Sequence, residues 1–341
     1  MKLLLIGFGT VGQGLAELLL EKGKSLSRDY GVDFQVTGIA DFQKGSLYNR
    51  KGLDLGKALA EVKAHGNLAG LKDDVYSQDA LSLIKEAKAD VLCEATYTDI
   101  KTAEPASTHM RTALERGMHV VTSNKGPLAL YYHEISELAR RKKLKFLFEG
   151  TVMSGTPVLN LATQDLAGNR FTAVRGILNG TTNYILSRME EGLAYGEALK
   201  KAQELGYAEA VPDADVLGWD ALAKVTILAN TVFAARQKPF SYPCQGITQI
   251  TPGDITAAKV QGKRFKLIGR VWRDGAAVKA SVAPQQIDIS HPLAGVMGAS
   301  NALTISSDTL GDVTIVGPGA GRRETGFSLL ADLIHIGRRD R

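Results

Sequence analysis

The 341 residues are 44% hydrophobic and 23% charged, with 36 glycines in turn-like positions rather than in a repeat, which excludes disordered, fibrous and collagen-like classes. No stretch approaches the ~18 consecutive apolar residues of a membrane span. The net charge of +5 is spread through the chain without a nucleic-acid motif, so a membrane or nucleic-acid partner is not expected. Basic residues concentrate only at Arg140-Arg141-Lys142-Lys143 and in the tail Arg338-Arg339-Asp340-Arg341. Cys93 and Cys244 match no metal-ligand spacing and read as small core residues of a reducing, cytoplasmic compartment. A chain of this length outgrows one core, so two lobes with a ligand-binding cleft between them are expected.

Taken in chain order, residues 3–6 are a short apolar run, followed by glycines and then by Leu15, Leu18 and Leu19 at helical spacing: strand, tight turn, helix. Glycines interrupt the run and no small-residue cleavage site follows, so it reads as a buried strand and not as a secretion signal. Further apolar strands are predicted at 34–40, ending at Asp41, and at 91–93, 119–122 and 145–148, with helices over 77–88, 105–116 and 131–143. This alternation predicts an α/β fold, a Rossmann-type doubly wound parallel sheet over residues 1–135. Beyond about Gly150 the pattern changes to a strand at 172–178, helices over 184–191, 195–204 and 219–234, and strands near 266–271, 278–282, 303–306 and 313–316. Residues 136–316 are therefore expected to form an α+β substrate domain with a mixed, largely antiparallel sheet. The turn Gly317-Pro318-Gly319-Ala320-Gly321 opens a last helix, and 317–341 is expected to return to the first domain.

Gly7-Phe8-Gly9-Thr10-Val11-Gly12 lies directly after the first strand and opens the first helix, the context that a dinucleotide fingerprint requires. Gly7 permits the tight turn, Gly9 lets backbone approach a pyrophosphate, and Gly12 lets helix and strand pack closely; the helix N-terminus supplies amide donors. Asp41 is the natural ribose partner, later than the usual ~20-residue spacing because residues 24–33 look inserted. A carboxylate there favours NAD, whereas Lys44, Arg50, Lys51 or Lys57 could pair with the 2′-phosphate of NADP, and the sequence leaves that choice open.

Glu209, Asp213, Asp215, Asp220 and Lys224 converge around a helix start, with Asp220 and Lys224 four residues apart on one face. A Pro/Asp-rich loop leading into a strongly apolar helix places that pair against a partner or a pocket. Lys125, in Thr122-Ser123-Asn124-Lys125-Gly126-Pro127, follows a strand of the parallel sheet at its carboxyl edge, where ligands of such folds bind; position alone allows equally a solvated loop lysine. Residues 149–157 combine Glu149 with small residues whose carbonyl oxygens suit a hard cation, or else form a plain hinge.

In this order, the glycine loop, the Lys125 turn, residues 149–157, Gly176-Ile177-Leu178-Asn179-Gly180-Thr181-Thr182-Asn183-Tyr184, the acidic array to Lys224 and the turn 317–321 resemble the homoserine dehydrogenase family over nearly the whole chain. The likeness is to its monofunctional form, without a regulatory domain. The resemblance implies Lys224 and Lys125 as catalytic lysines, with Asp220 orienting the substrate. It implies Glu209 binding the substrate amine, and Thr181, Gly206, Tyr207 and Asp215 shaping the same pocket. It implies Thr96 and Lys125 near the nicotinamide and Gly319 near the cofactor, a sodium-like monovalent cation at Glu149, Val152, Ser154 and Thr156, and a homodimer formed through the sheet of the second domain. One departure is Val211, where the family carries an aspartate.

The reaction so implied is the reversible reduction of L-aspartate 4-semialdehyde to L-homoserine with NADP or NAD. Lys224 would donate a proton to the developing alkoxide, and Lys125 would stabilise that oxygen or share the proton role. It requires Lys224 and Asp220 to face the glycine turn across the cleft. Two rivals are an aspartate-semialdehyde dehydrogenase-like enzyme, which needs an activated cysteine, and a nucleotide-sensing protein of the same fold without catalysis.

Overall fold

A computed structural model describes residues 1–239 and 241–338; of the basic tail singled out above, 339–341 lie outside the described residues. The chain opens with β1 (Lys2–Ile6), of which Leu3 to Ile6 are buried, and turns into α1 (Thr10–Tyr30). There follow β2 (Gln35–Asp41), β3 (Gly45–Tyr48), α2 (Leu55–His65), β4 (Val75–Tyr76), α3 (Ala80–Glu86), β5 (Val91–Glu94), α4 (Ala106–Glu115), β6 (His119–Thr122), α5 (Lys125–Lys142) and β7 (Phe146–Leu147). These strands form one sheet in the order β4-β3-β2-β1-β5-β6-β7. From β2 to β7 neighbours run parallel, while β3 and β4 add antiparallel pairing at one edge. The order reverses between β1 and β5, which makes their carboxyl ends the topological switch point where a doubly wound sheet binds ligands.

The charged stretch after Asp41, for which the sequence predicts no element, folds as β3, α2 and β4: Leu47, Leu55, Ala58 and Val62 are buried, and Asp54 caps α2 by accepting from Lys57 N–H (3.0 Å). Its lysines hid an apolar face at helical spacing. Of the residues 24–33 that look inserted before Asp41, 24–30 belong to α1, which runs unbroken to a left-handed Gly31 cap (φ 67°); a longer helix delays the carboxylate.

The chain continues with α6 (Val158–Asn160), β8 (Phe171–Ile177), α7 (Gly180–Glu190), α8 (Tyr195–Glu204), α9 (Asp213–Val216), α10 (Trp219–Val232), α11 (Pro252–Val260), β9 (Lys263–Asp274), β10 (Ala277–Asp288), β11 (Ser300–Ser307), β12 (Gly311–Pro318) and α12 (Arg322–Gly337). Strands β8 to β12 form a second sheet, ordered β10-β9-β8-β11-β12, with all four neighbouring pairs antiparallel and one parallel bridge from Cys244 to Val282. By packing, the chain divides into two compact units, Met1–Gly155 with the chain from Gly321 on, and Thr156–Ala320. The boundaries expected at 135/136 and 316/317 thus lie further along the chain, at 155/156 and 320/321. β7 pairs with β6 and extends the first sheet, and β12 continues through Pro318 as an edge of the second.

Among the described residues no helix is long and apolar enough to cross a membrane, and both cysteines are free. In the first unit α12 packs on α1 through glycines. A Cβ on Gly14 would stand 2.0 Å from the Arg322 carbonyl oxygen, and one on Gly326 would stand 2.7 Å from Gly14. Neither backbone can yield without parting the helices. Gly14→Ala is therefore expected to lower stability by about 1–3 kcal/mol, as overpacking does, read as a lower thermal midpoint; an unchanged midpoint would show that the two helices are not held at this distance.

Candidate active site

Two constellations stand out, one in each unit. In the first, β1 ends in a loop whose glycines have three different surroundings. Gly7 (φ 92°) has no room for a side chain, since a Cβ would stand 2.3 Å from the Ala95 carbonyl oxygen. At Gly12 a Cβ would stand 2.1 Å from the Gly7 carbonyl oxygen, which enforces the helix–strand approach. At Gly9 it would meet nothing within 4 Å among the described residues: this glycine faces open space. Gly9 is also the N-cap of α1 and offers no side-chain acceptor to the first-turn amides, so donors stand beside a cradle that a Cβ would partly fill. That arrangement fits a pyrophosphate. Phe8 is buried, Val11 half-buried and Thr10 exposed.

Asp41 closes β2 with its side chain 12% exposed. Its Oδ2 accepts the Phe8 N–H (2.7 Å), and its Oδ1 accepts the N–H groups of Gln43 (3.0 Å) and Lys44 (3.1 Å). The carboxylate is thereby fixed beside the glycine loop, with Lys44 Nζ 3.6 Å away. On the other flank of the switch point lie Thr96, half-buried after β5, and Lys125, the first residue of α5, whose cap Asn124 accepts from Gly126 N–H (3.1 Å).

In the second unit Lys224 lies on α10 and is 7% exposed. Its Nζ donates to the Leu178 carbonyl (2.6 Å) and to Asp220 Oδ2 (2.7 Å), the latter one helical turn earlier. Asn179 Nδ2 donates to Asp220 Oδ2 (3.0 Å) and Asp215 Oδ1 (2.6 Å), while its Oδ1 caps α7 by accepting Thr182 N–H (2.9 Å). Thr181 donates to the Tyr207 carbonyl (2.6 Å), and the Tyr207 ring lies 5.1 Å from that of Tyr184. Lys224, Asp220, Asp215, Thr181 and Tyr207 are thus brought together. Gly206 (φ 74°) shapes the turn before Tyr207, whereas Glu209 is exposed and no hydrogen bond or ion pair is recorded for its carboxylate among the described residues. Val211 is 73% exposed, so the family's missing aspartate removes no buried contact.

Sequence reasoning passed over Asn179, the residue that joins both carboxylates. Its signal was an Asn at a strand end directly before a Gly-Thr-Thr helix start, a cap pattern. Burial raises the Asp215 carboxyl above its ordinary range, with neighbouring Asp220 pushing the same way and Asn179 and Lys224 opposing. Burial likewise raises both thiols, of Cys93 and of Cys244, the reverse of what a cysteine nucleophile needs.

Of the residues associated with a cation, Glu149 (3% exposed), Val152 and Ser154 lie in the first unit, and Thr156 begins the second. Ser154 Oγ bonds to the Thr325 hydroxyl (2.7 Å), and Thr156 Oγ1 donates to the Pro318 carbonyl (3.0 Å). Among the described residues no group of three or more His, Cys, Asp or Glu side chains could hold a metal. Gly319 packs against the Asn301 side chain, 2.1 Å from where its Cβ would be.

The fold and the glycine cradle define a nicotinamide-dinucleotide-dependent oxidoreductase. A family model described as homoserine dehydrogenase matches residues 157–334, and one described as its NAD-binding domain matches 7–149. The NAD(+)-dependent homoserine dehydrogenase of Pseudomonas canavaninivorans is 45% identical over 98% of this chain and 96% of its own. A solved structure from Archaeoglobus fulgidus superimposes with a TM-score of 0.90 at 40% identity, over 99% of this chain and 100% of that one. A hyperthermophilic archaeal homoserine dehydrogenase in complex with NADPH gives 0.85 at 30% identity, over 99% of both chains. The chain belongs to the homoserine dehydrogenase family.

The raised Asp215 carboxyl has a consequence for stability. A carboxyl favoured in its protonated form by folding stabilises the native state fully below its unfolded value, and the contribution is lost as pH rises through the folded one. Asp215→Asn, which keeps an oxygen for Asn179, is therefore expected to be more stable than wild type at neutral pH. The gain should fade as pH falls toward the ordinary carboxyl value of 3.8, as followed by thermal midpoints across that range.

Proposed function

We propose that this chain catalyses the reversible, NAD(P)H-dependent reduction of L-aspartate 4-semialdehyde to L-homoserine, with Lys224 as general acid and, in reverse, general base. The observation that carries the proposal is the bonding of the Lys224 ammonium. It has three donors, of which two go to the Leu178 carbonyl and Asp220; the third remains for a substrate oxygen. The fixed acceptors hold the nitrogen in place, so no reorganisation is needed when charge develops on that oxygen. When bound, the nicotinamide supplies the hydride. Asp220 orients Lys224, and Asn179 spaces the two carboxylates. Glu209 offers a carboxylate to the substrate amine, and Thr181, Gly206, Tyr207 and Asp215 shape its surroundings. Lys125 and Thr96 contribute from the cofactor side, Lys125 to the charge on the reacting oxygen. The burial that raises both cysteine thiols speaks against the aspartate-semialdehyde dehydrogenase-like alternative.

For the cofactor, the fixed Asp41 carboxylate supports NAD over NADP. It accepts ribose hydroxyls and repels a 2′-phosphate, and Lys44 is already within ion-pair distance of it. The donor set along 149–156, one buried carboxylate with backbone oxygens, fits a sodium-like cation, since the Ser154 and Thr156 hydroxyls are otherwise engaged. A homodimer and a cytoplasmic place of action complete the reading. In support of the former, Val316 on edge strand β12 is 55% exposed.

Homoserine oxidation followed by absorbance at the reduced-nicotinamide band, with NAD and NADP in turn and with or without sodium, tests the proposal. Lys224→Ala is expected to lower kcat by roughly two to four orders of magnitude, and near-normal turnover would remove it from the role. Asp41→Asn is expected to narrow the preference for NAD by about tenfold, one charge–charge contact's worth at a partly screened site; an unchanged ratio of kcat/KM values would place the discrimination elsewhere.

A further inference from the structure

One buried acid takes no part in the chemistry above. Glu94 closes β5 at the carboxyl edge of the first sheet and is fully buried. Its Oε1 accepts both the Thr96 backbone N–H (3.3 Å) and the Thr96 hydroxyl. Asn124 Nδ2 donates to the Thr96 carbonyl (3.2 Å), the Thr96 hydroxyl oxygen (3.3 Å) and the Tyr97 carbonyl (3.0 Å). The Thr122 hydroxyl ties the Glu94 carbonyl (2.9 Å) to the Asn124 N–H (2.9 Å). Asn124 in turn caps the helix that starts at Lys125. On the opposite side, the Ala95–Thr96 peptide is what Gly7 packs against: a Cβ there would stand 2.6 Å from Thr96 N. Through Thr96 the Glu94 carboxyl therefore bears on three segments, residues 95–97 directly, and the glycine loop and the Lys125 turn at one remove.

A second observation sets this group apart from ordinary structural polar contacts. Among the described residues Glu94 Oε2 has no hydrogen-bond partner, and neither has Nδ1 of His109, which is 5% exposed and 3.7 Å from Oε1. Buried polar atoms left unpaired oppose folding, and an apolar side chain of the same volume would relieve that penalty. An unfavourable arrangement held by its surroundings at a ligand-binding edge points to function.

We propose that Glu94 is a positioning residue for hydride transfer. By fixing Thr96, and through Asn124 the Lys125 turn, it sets the edge against which the nicotinamide rests. The proposal rests on the reading in which residues 95–97 flank that ring. Glu94→Met keeps the volume and removes the acceptor, whereas Glu94→Gln retains an oxygen for Thr96. The Met variant is expected to lower kcat for homoserine oxidation by roughly 100-fold, the scale of a misplacement of about 1 Å. Its KM for homoserine should stay within about threefold of wild type, because only the transition state loses stabilisation. The Gln variant should recover most of the rate. The polarisation of bound NADH fluorescence should fall in the Met variant, with a thermal midpoint no lower than wild type.

Wild-type kcat in the Met variant would overturn the proposal. So would equal losses in both variants accompanied by lower thermal midpoints, the signature of a merely structural group. If Glu94→Met does not fold, Thr96→Val removes the hydroxyl from the other end of the contact and must give the same split between kcat and KM. Failure of the wild-type chain to oxidise homoserine would instead count against the assigned reaction, and NADH polarisation would still decide the positioning role.

Discussion

An ammonium group withdrawn from water must find acceptors, and the second unit is arranged around meeting that need for Lys224. Isolated burial of a lysine is strongly unfavourable, and removing one partner of a buried pair costs about 3–5 kcal/mol. The chain answers with the Leu178 carbonyl at the end of β8 and with Asp220 one turn earlier on α10. Strand end and helix are thereby held in a fixed relation. Asn179 sits between Asp215 and Asp220 because two carboxylates this close need a donor to separate them. The same side chain caps α7, so the polar centre and the helix start are one piece of structure.

The first unit applies a different constraint, exclusion of side chains. Gly7 and Gly12 are required because backbone oxygens occupy the space a Cβ would need, and only Gly9 looks into open space. Asp41 is then drawn to the loop by the Phe8 amide, which fixes a charge at the end of β2 without any further element. The loop backbone is rigid because close packing behind it leaves no alternative.

Both constellations use the same physical device. A few polar groups at the ends of strands are over-determined by hydrogen bonds, which on the proposed reading leaves one donor or one open backbone edge for a ligand. In the second unit that remaining donor belongs to an ammonium; in the first it is the row of amides at the start of α1. Catalysis by hydride transfer asks the protein for orientation and fixed charge rather than for covalent chemistry, and these are the properties the two sites supply.

Much of this was legible in the sequence, because periodicity and glycine spacing report local backbone requirements directly. The alternation of apolar runs determined the doubly wound sheet, the Gly7-Phe8-Gly9-Thr10-Val11-Gly12 string determined the cradle, and the i, i+4 spacing determined that Asp220 and Lys224 share a face. Tertiary structure alone decided the rest. The charged stretch after Asp41 became β3, α2 and β4 because its sparse apolar residues found the sheet edge. The division of the chain moved to Gly155 because β7 paired with β6. One of the two acceptors for Lys224 lies 46 residues away in sequence at Leu178, and Glu94 meets Asn124 through Thr96 and Thr122, across neighbouring strands. Local sequence encodes which backbone conformations are open to a segment; which buried donor meets which acceptor depends on contacts between distant segments, and these exist only once the chain has packed.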